Sequence, residues 1–276
     1  MPTIEAQLAR FPVRRIGADL PAYREAGSGR ALVMLHGIGS GSGSFIRQLE
    51  TLSEKFRVIA WDAPGYGDSP PLPQAAPVAA DYAAALAGLL DALGLDRVLL
   101  LGHSLGALTA AAFALAHPQR TGGLILLNPA GGYGAAEESV REEKLSAHLD
   151  LMDRLGPRGM AEKRGRALVS PAASDEARHM VIWNMSQLRP DGHAQAARML
   201  SGGRLADDAA RFAGPALVVG SSGDTVTPEA GCRAIAAAFP RARYVSLAGP
   251  GHASYLEAPA EINACIETFA AEVGWT

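Results

Sequence analysis

Val98-Leu99-Leu100-Leu101 runs straight into Gly102-His103-Ser104-Leu105-Gly106, and a nearly unbroken apolar stretch follows as far as His117. Four consecutive apolar residues bounded by glycine read as a strand buried on both faces. Residues 104–117 predict a helix that is apolar nearly all round, hence buried, and stopped by Pro118. Between the two lies a single sharp turn with Ser104 at its apex. Backbones crowd at such a turn, so it needs small residues on both sides of the serine, and the serine itself takes strained dihedrals. A helix beginning there also points its positive end at the site. A plain strand–helix junction with a capping serine uses the same residue types, so the rest of the chain has to decide between the two.

Outward from this turn the same rhythm repeats. Residues 13–16 and 20–25 read as a hairpin split by Gly17 and Asp19. Apolar runs at 31–35, 57–61, 124–127, 216–219 and 244–247 read as strands. Helical stretches at 44–55, 79–93, 229–238 and 259–271 lie between or after them. Strand, helix, strand, helix at this spacing predicts an α/β fold, with a mostly parallel sheet flanked by helices on both faces. From 131 to 208 the rhythm stops. That segment holds no strand run, only charged helical stretches broken at Gly156-Pro157, Ser170-Pro171 and Arg189-Pro190. It also carries five of the seven methionines, Met152, Met160, Met180, Met185 and Met199. The expected organisation is a core formed by 1–130 and 209–276, with 131–208 as a helical cap over Ser104. Methionine suits an adaptable apolar pocket, and Trp183 and Met185 are the expected pocket-wall residues.

The chain has 276 residues, 48% of them hydrophobic, with 31 glycines and 18 prolines, as expected of a folded protein rich in tight turns. A net charge of −3 gives no basic footprint for nucleic acid. No apolar run approaches the ~20 residues that span a bilayer, and Glu5 and Gln7 stand where a signal peptide would be apolar. Two cysteines, Cys232 and Cys265, suit reduced thiols rather than a disulfide scaffold. A cytoplasmic protein with a small-molecule substrate and no membrane or nucleic-acid partner is expected. Homo-oligomer formation is left open.

A serine hydroxyl needs a base within reach to act as a nucleophile at neutral pH. Of the seven histidines, His252 in Gly249-Pro250-Gly251-His252 follows the carboxyl end of a strand, where sites form on parallel sheets. His36 and His103 read as loop-structure residues, and His148, His179 and His193 as surface or pocket-lining residues of the insertion. The base in turn needs an acid to fix its tautomer. Asp224, separated from a strand end by four residues, is preferred to Asp62, whose Pro64-Gly65-Tyr66-Gly67 surroundings suggest loop bracing. Oxyanion stabilisation requires preorganised N–H donors, expected from the backbones of Ile38 and Leu105. Neither H-E-x-x-H nor a Cys/His cluster occurs, so no metal and no organic cofactor is expected.

With these residues assembled, the chain resembles the α/β-hydrolase superfamily along essentially its whole length. The resemblance rests on His36-Gly37, Asp62-Ala63-Pro64-Gly65-Tyr66-Gly67-Asp68-Ser69, the Ser104 turn, Gly223-Asp224 and Gly251-His252. A Ser nucleophile sets it apart from the haloalkane dehalogenases and epoxide hydrolases, which use Asp. Gly223-Asp224-Thr225-Val226-Thr227-Pro228 and His252-Ala253-Ser254-Tyr255-Leu256-Glu257-Ala258-Pro259 resemble 3-oxoadipate enol-lactonase and related esterases. The glycine-rich loop and helical cap resemble, less closely, the carbon–carbon hydrolases of meta-cleavage products. Those usually carry Trp after the catalytic His, where this chain has Ala253, and Asn in the glycine-rich loop. The resemblance therefore implies hydrolysis of a small carboxylic ester or lactone through an acyl-enzyme, with carbon–carbon hydrolysis of a vinylogous diketone as the alternative. Further alternatives are a haloperoxidase or acyltransferase using the same three residues, and a non-catalytic ligand-binding protein on the same fold.

Overall fold

A computed structural model of the chain describes residues 3–276. Met1 and Pro2, which begin the core segment expected over 1–130, lie outside the described residues. One sheet contains β1 Tyr23–Ala26, β2 Ala31–Leu35, β3 Arg57–Trp61, β4 Val98–His103, β5 Thr121–Leu127, β6 Ala216–Ser221 and β7 Ala242–Leu247. Their spatial order is β1-β3-β2-β4-β5-β6-β7. β1 runs antiparallel to β3, and every other neighbouring pair is parallel.

Continuous apolar strands make sense here because both faces of the sheet are covered. Val33, Leu35, Leu100, Leu124, Leu126 and Val218 enter one core. Helices α3 Ala79–Ala92, α4 Gly106–Ala116, α8 Leu205–Arg211 and α9 Glu229–Ala238 pack into that same core. The alternate residues Leu32, Met34, Leu99, Leu101, Ile125, Leu127 and Leu217 enter the other, under α1 Ile4–Leu8, α2 Ile46–Thr51, α10 Ser254–Glu257 and α11 Pro259–Glu272. This two-residue alternation is what a pleated strand imposes.

Among the departures from the sequence expectation are three with a clear physical reason or a bearing on the Ser104 turn. The hairpin over 13–25 is reduced to a single antiparallel bridge, Arg14 to Tyr23; Pro21, lacking an N–H, cannot extend the ladder. β4 continues two residues further, to His103. The following helix starts at Gly106 rather than Ser104, because Ser104 has φ 51° and cannot be its first turn.

Between β5 and β6 the described residues contain helices and no strand: α5 Glu138–Arg164, α6 Asp175–Ser186, α7 Pro190–Gly202 and then α8. α5 kinks at Gly156, which has φ 63° and ψ 179°. The residue before a proline avoids the helical region, and Pro157 has no N–H to donate across the break. α7 begins on Pro190, where a missing N–H costs nothing. Among the described residues no helix is long and apolar enough to cross a membrane.

Candidate active site

The carboxyl edge of the sheet gathers the chemistry. Ser104 follows β4 directly, Asn128 follows β5, Asp224 lies just beyond β6, and His252 lies beyond β7. Ser104 sits in the left-handed region that non-glycine residues seldom occupy. Its N–H donates to Leu127 O at 3.0 Å, and its carbonyl accepts from Ala107 N and Ala130 N, both at 3.1 Å. The flanking glycines are required by contact. A Cβ at Gly102 would lie 2.5 Å from Gly106 O, and one at Gly106 would lie 2.3 Å from Leu35 O.

Asp224 and His252 are joined, Oδ2 to Nδ1, at 2.8 Å, and both are buried. Asp224 is held from every side. Its Oδ1 accepts from Val226 N at 2.7 Å and Thr227 N at 2.9 Å. Its Oδ2 also accepts from Thr227 Oγ1 at 2.7 Å and Asn128 Nδ2 at 2.9 Å. Burial alone would raise this carboxyl's pKa, but the bonds to His252 and Thr227 outweigh it and bring it down to about 2. The acid is therefore ionised at any ordinary pH, fixing Nδ1 of His252 as the protonated nitrogen and leaving Nε2 as the acceptor. Nε2 and the Ser104 hydroxyl have no partner among the described residues, and both residues line one cavity. Catalytic hydrogen bonds often close only when substrate binds.

That cavity has a volume of about 610 Å³ and lies between the sheet edge and the helices of the insertion. Ile38 lines it, and the backbone N–H groups of Ile38 and Leu105 are engaged in no hydrogen bond among the described residues. Leu105 directly follows Ser104, and Ile38 follows Gly37, where an added Cβ would lie 2.9 Å from Ser104 Cβ. Tyr66 fixes the Ile38 loop by donating to Ile38 O at 3.0 Å.

The remaining candidates sort cleanly. His36 takes Ala63 N–H on Nε2 at 3.0 Å and meets Gly37 O on Nδ1 at 2.8 Å, which makes it a loop brace. Asp62 accepts from Ser42 N at 2.7 Å and is likewise structural. His103 donates from Nε2 to His252 O at 3.0 Å, and its ring lies 4.8 Å from that of His252. Burial, with the neighbouring His252, pushes its pKa down to about 3, so it stays neutral. Met185 lines the cavity, as expected. Trp183 does not: its Nε1 donates to Glu5 at 2.7 Å on the outer side, and the expectation of a pocket wall is corrected. Of the five methionines, Met160 and Met185 line the cavity, and Met152, Met180 and Met199 are buried in the two apolar cores. His179 is exposed. Sequence reasoning did not single out Asn128 or Thr227 as supports for Asp224. Nor did it pick Arg164, which lines the cavity with His148 and His193.

The family model described as "alpha/beta hydrolase fold" matches residues 30–259. The chain belongs to the α/β-hydrolase fold family. This α/β-hydrolase is 45% identical over 143 residues to 2-hydroxy-6-oxononadienedioate/2-hydroxy-6-oxononatrienedioate hydrolase 2 of Pseudomonas putida, covering 49% of each chain. It is 36% identical over 135 residues to the 2-hydroxy-6-oxo-6-phenylhexa-2,4-dienoate hydrolase of Comamonas testosteroni, covering 48% of this chain and 47% of the relative. The chain thus spans about half the length of the curated relatives it matches. Among solved structures, a thermophilic esterase from Thermogutta terrifontis is similar at a TM-score of 0.83 and 25% identity, over 92% of this chain and 94% of that one. The sequence relatives favour the carbon–carbon hydrolases, the likeness that motif reading had placed second.

Proposed function

We propose that this α/β-hydrolase cleaves a carbon–carbon bond beside a ketone in a 2-hydroxy-6-oxo-dienoate, with Ser104 as nucleophile, His252 as general base and Asp224 as its orienting acid. The observation that carries the hydrolytic chemistry is the buried Asp224–His252 pair at 2.8 Å, with His252 sharing a cavity with the strained Ser104, whose hydroxyl is free. The relatives named for such dienoates support the substrate class. In this reading residues 131–208 form the cap, and its helices exclude water and polymers from a compact, partly apolar ligand.

The steps follow from the groups present. His252 Nε2 takes the Ser104 proton as Oγ adds to the keto carbon, and Asp224 stabilises the imidazolium. The N–H groups of Ile38 and Leu105 hold the developing oxyanion. Carbon leaves only if its electron pair is delocalised, and the conjugated carbonyl system of the keto tautomer accepts that pair while His252 returns the proton. Water then releases the acyl group from Ser104. For the 6-phenyl dienoate the sum is one water consumed, giving benzoate and 2-hydroxypenta-2,4-dienoate. Chromatographic recovery of those two acids in equal amounts, lost in Ser104→Ala, is the test; no benzoate from the wild-type protein would overturn the assignment.

Hydrolysis of a small ester or lactone by the same groups is the second reading. It is favoured by the likeness to the Thermogutta esterase over 92% of this chain and by the small Ala253 directly after His252.

A further inference from the structure

The cavity wall contributed by the insertion is mostly apolar, with one exception. Arg164 at the end of α5, His148 about two turns before the Gly156 kink of the same helix, and His193 in α7 line it together. The His148 and His193 rings lie 5.7 Å apart. His193 is 1% exposed, and Nδ1 of each imidazole is buried with no hydrogen-bond partner. The Arg164 side chain has no ion pair and no hydrogen bond among the described residues. By contrast, two other arginines of the insertion lie off the cavity: Arg178 is tied to Pro171 O and Ala173 O, and Arg189 to Asp191.

Buried polar groups in folded proteins nearly always have partners, and a permanent cation against an apolar wall is costly unless something anionic or strongly accepting meets it. Burial holds both imidazoles neutral, His148 near pKa 4 and His193 near 3, and the Arg164 charge acts in the same direction on each. The trio therefore presents one fixed positive charge and two neutral rings whose tautomers can adapt to a ligand. A guanidinium matches a carboxylate with two parallel N–H donors.

We infer that Arg164, with His148 and His193, forms an acid-recognition subsite that selects substrates bearing a carboxylate remote from the scissile carbonyl. This inference rests on the reading of the cavity as the substrate site, and it gives a reason why dienoates and dioates rather than neutral esters would be taken. Arg164 is here a specificity residue; it takes no part in bond cleavage.

The test uses two matched chromogenic esters, mono-p-nitrophenyl glutarate with a terminal carboxylate and p-nitrophenyl butyrate without one. The wild-type enzyme should favour the glutarate ester. Arg164→Gln should lower that preference at least about tenfold, chiefly through KM, the scale expected for losing a charge-assisted hydrogen bond. The loss should be larger for the glutarate ester than for the butyrate ester, and Arg164→Lys should recover part of the preference. Binding of glutarate to Ser104→Ala, measured calorimetrically with and without Arg164→Gln, separates this inference from the catalytic assignment. Arg164-dependent glutarate binding in a protein that cleaves neither ester nor the 6-phenyl dienoate would sink the hydrolase reading and leave the subsite standing. An unchanged glutarate-to-butyrate ratio in Arg164→Gln, or glutarate binding indifferent to Arg164, would overturn the subsite.

Discussion

At the residue scale, Asp224 shows how a carboxylate is committed to one role. Four donors besides His252 saturate its two oxygens, so in the proposed reaction it orients the imidazole and does not compete for the proton. Replacing Ser104 or His252 by Ala should lower kcat by about 10⁶, and Asp224→Asn by about 10⁴, as found when members of such triads are removed. Each variant should keep its far-ultraviolet circular dichroism, and a Ser104→Ala protein retaining most of its activity would end the assignment. Asn128 gives a finer test. It is fully buried with φ 44°, donates to Asp224, and accepts from Ser254 Oγ at 2.6 Å. Asn tolerates that backbone far better than Ala. Asn128→Ala should therefore be less stable than Asn128→Gly by roughly 1–2 kcal/mol, read as a difference in urea midpoint, while both lose activity with the Asp224 clamp. The placement of Ser104, Asp224 and His252 on one sheet edge was legible because each follows a strand end at a glycine-marked turn. Asn128 was hidden, because nothing local distinguishes it; its role comes from β5 lying between β4 and β6.

At the element scale, the Ser104 turn depends on close backbone approach. Gly106→Ala drives a methyl into Leu35 O, and overpacking of this kind costs about 1–3 kcal/mol or more. Gly231, inside α9 with open space around it, should respond with the opposite sign, gaining roughly 0.5–1 kcal/mol as Ala. Thermal midpoints of the two variants check both signs, and equal shifts would contradict the packing argument. The strands at 31–35 and 57–61 and the helix at 229–238 match their sequence readings residue for residue, since apolar runs there are bounded by turn signals. The pocket wall was only half legible. Trp183 and Met185 both lie on α6, two residues and so about 200° apart around the helix, and one face alone can look into the cavity. Arg164 was missed because its position depends on the kink at Gly156 and on the packing of α5, which hydrophobic pattern does not encode.

For the whole molecule, two tightly covered sheet faces carry stability, and the edge between sheet and insertion carries chemistry. The same arrangement buries histidines that cannot charge. His103 and His193 near pKa 3 and His148 near 4 all fall below the ordinary value of 6.5. The unfolded chain therefore binds protons that the native state refuses between those limits. Stability should be full above about pH 6.5 and fall as pH drops towards 4, with each such histidine contributing up to about 1.4 kcal/mol per pH unit. Urea midpoints at pH 7 and 5 test this, and His193→Phe should flatten the slope; a midpoint independent of pH across that range would argue against neutral burial. The central claim is the bond broken. Its most direct measurement is kcat/KM for bleaching of yellow 2-hydroxy-6-oxo-6-phenylhexa-2,4-dienoate, set beside kcat/KM for p-nitrophenyl esters and lactones under the same conditions. The account predicts that the dienoate is the faster substrate and that Ser104→Ala abolishes its bleaching; faster turnover of any ester or lactone than of the dienoate would contradict it.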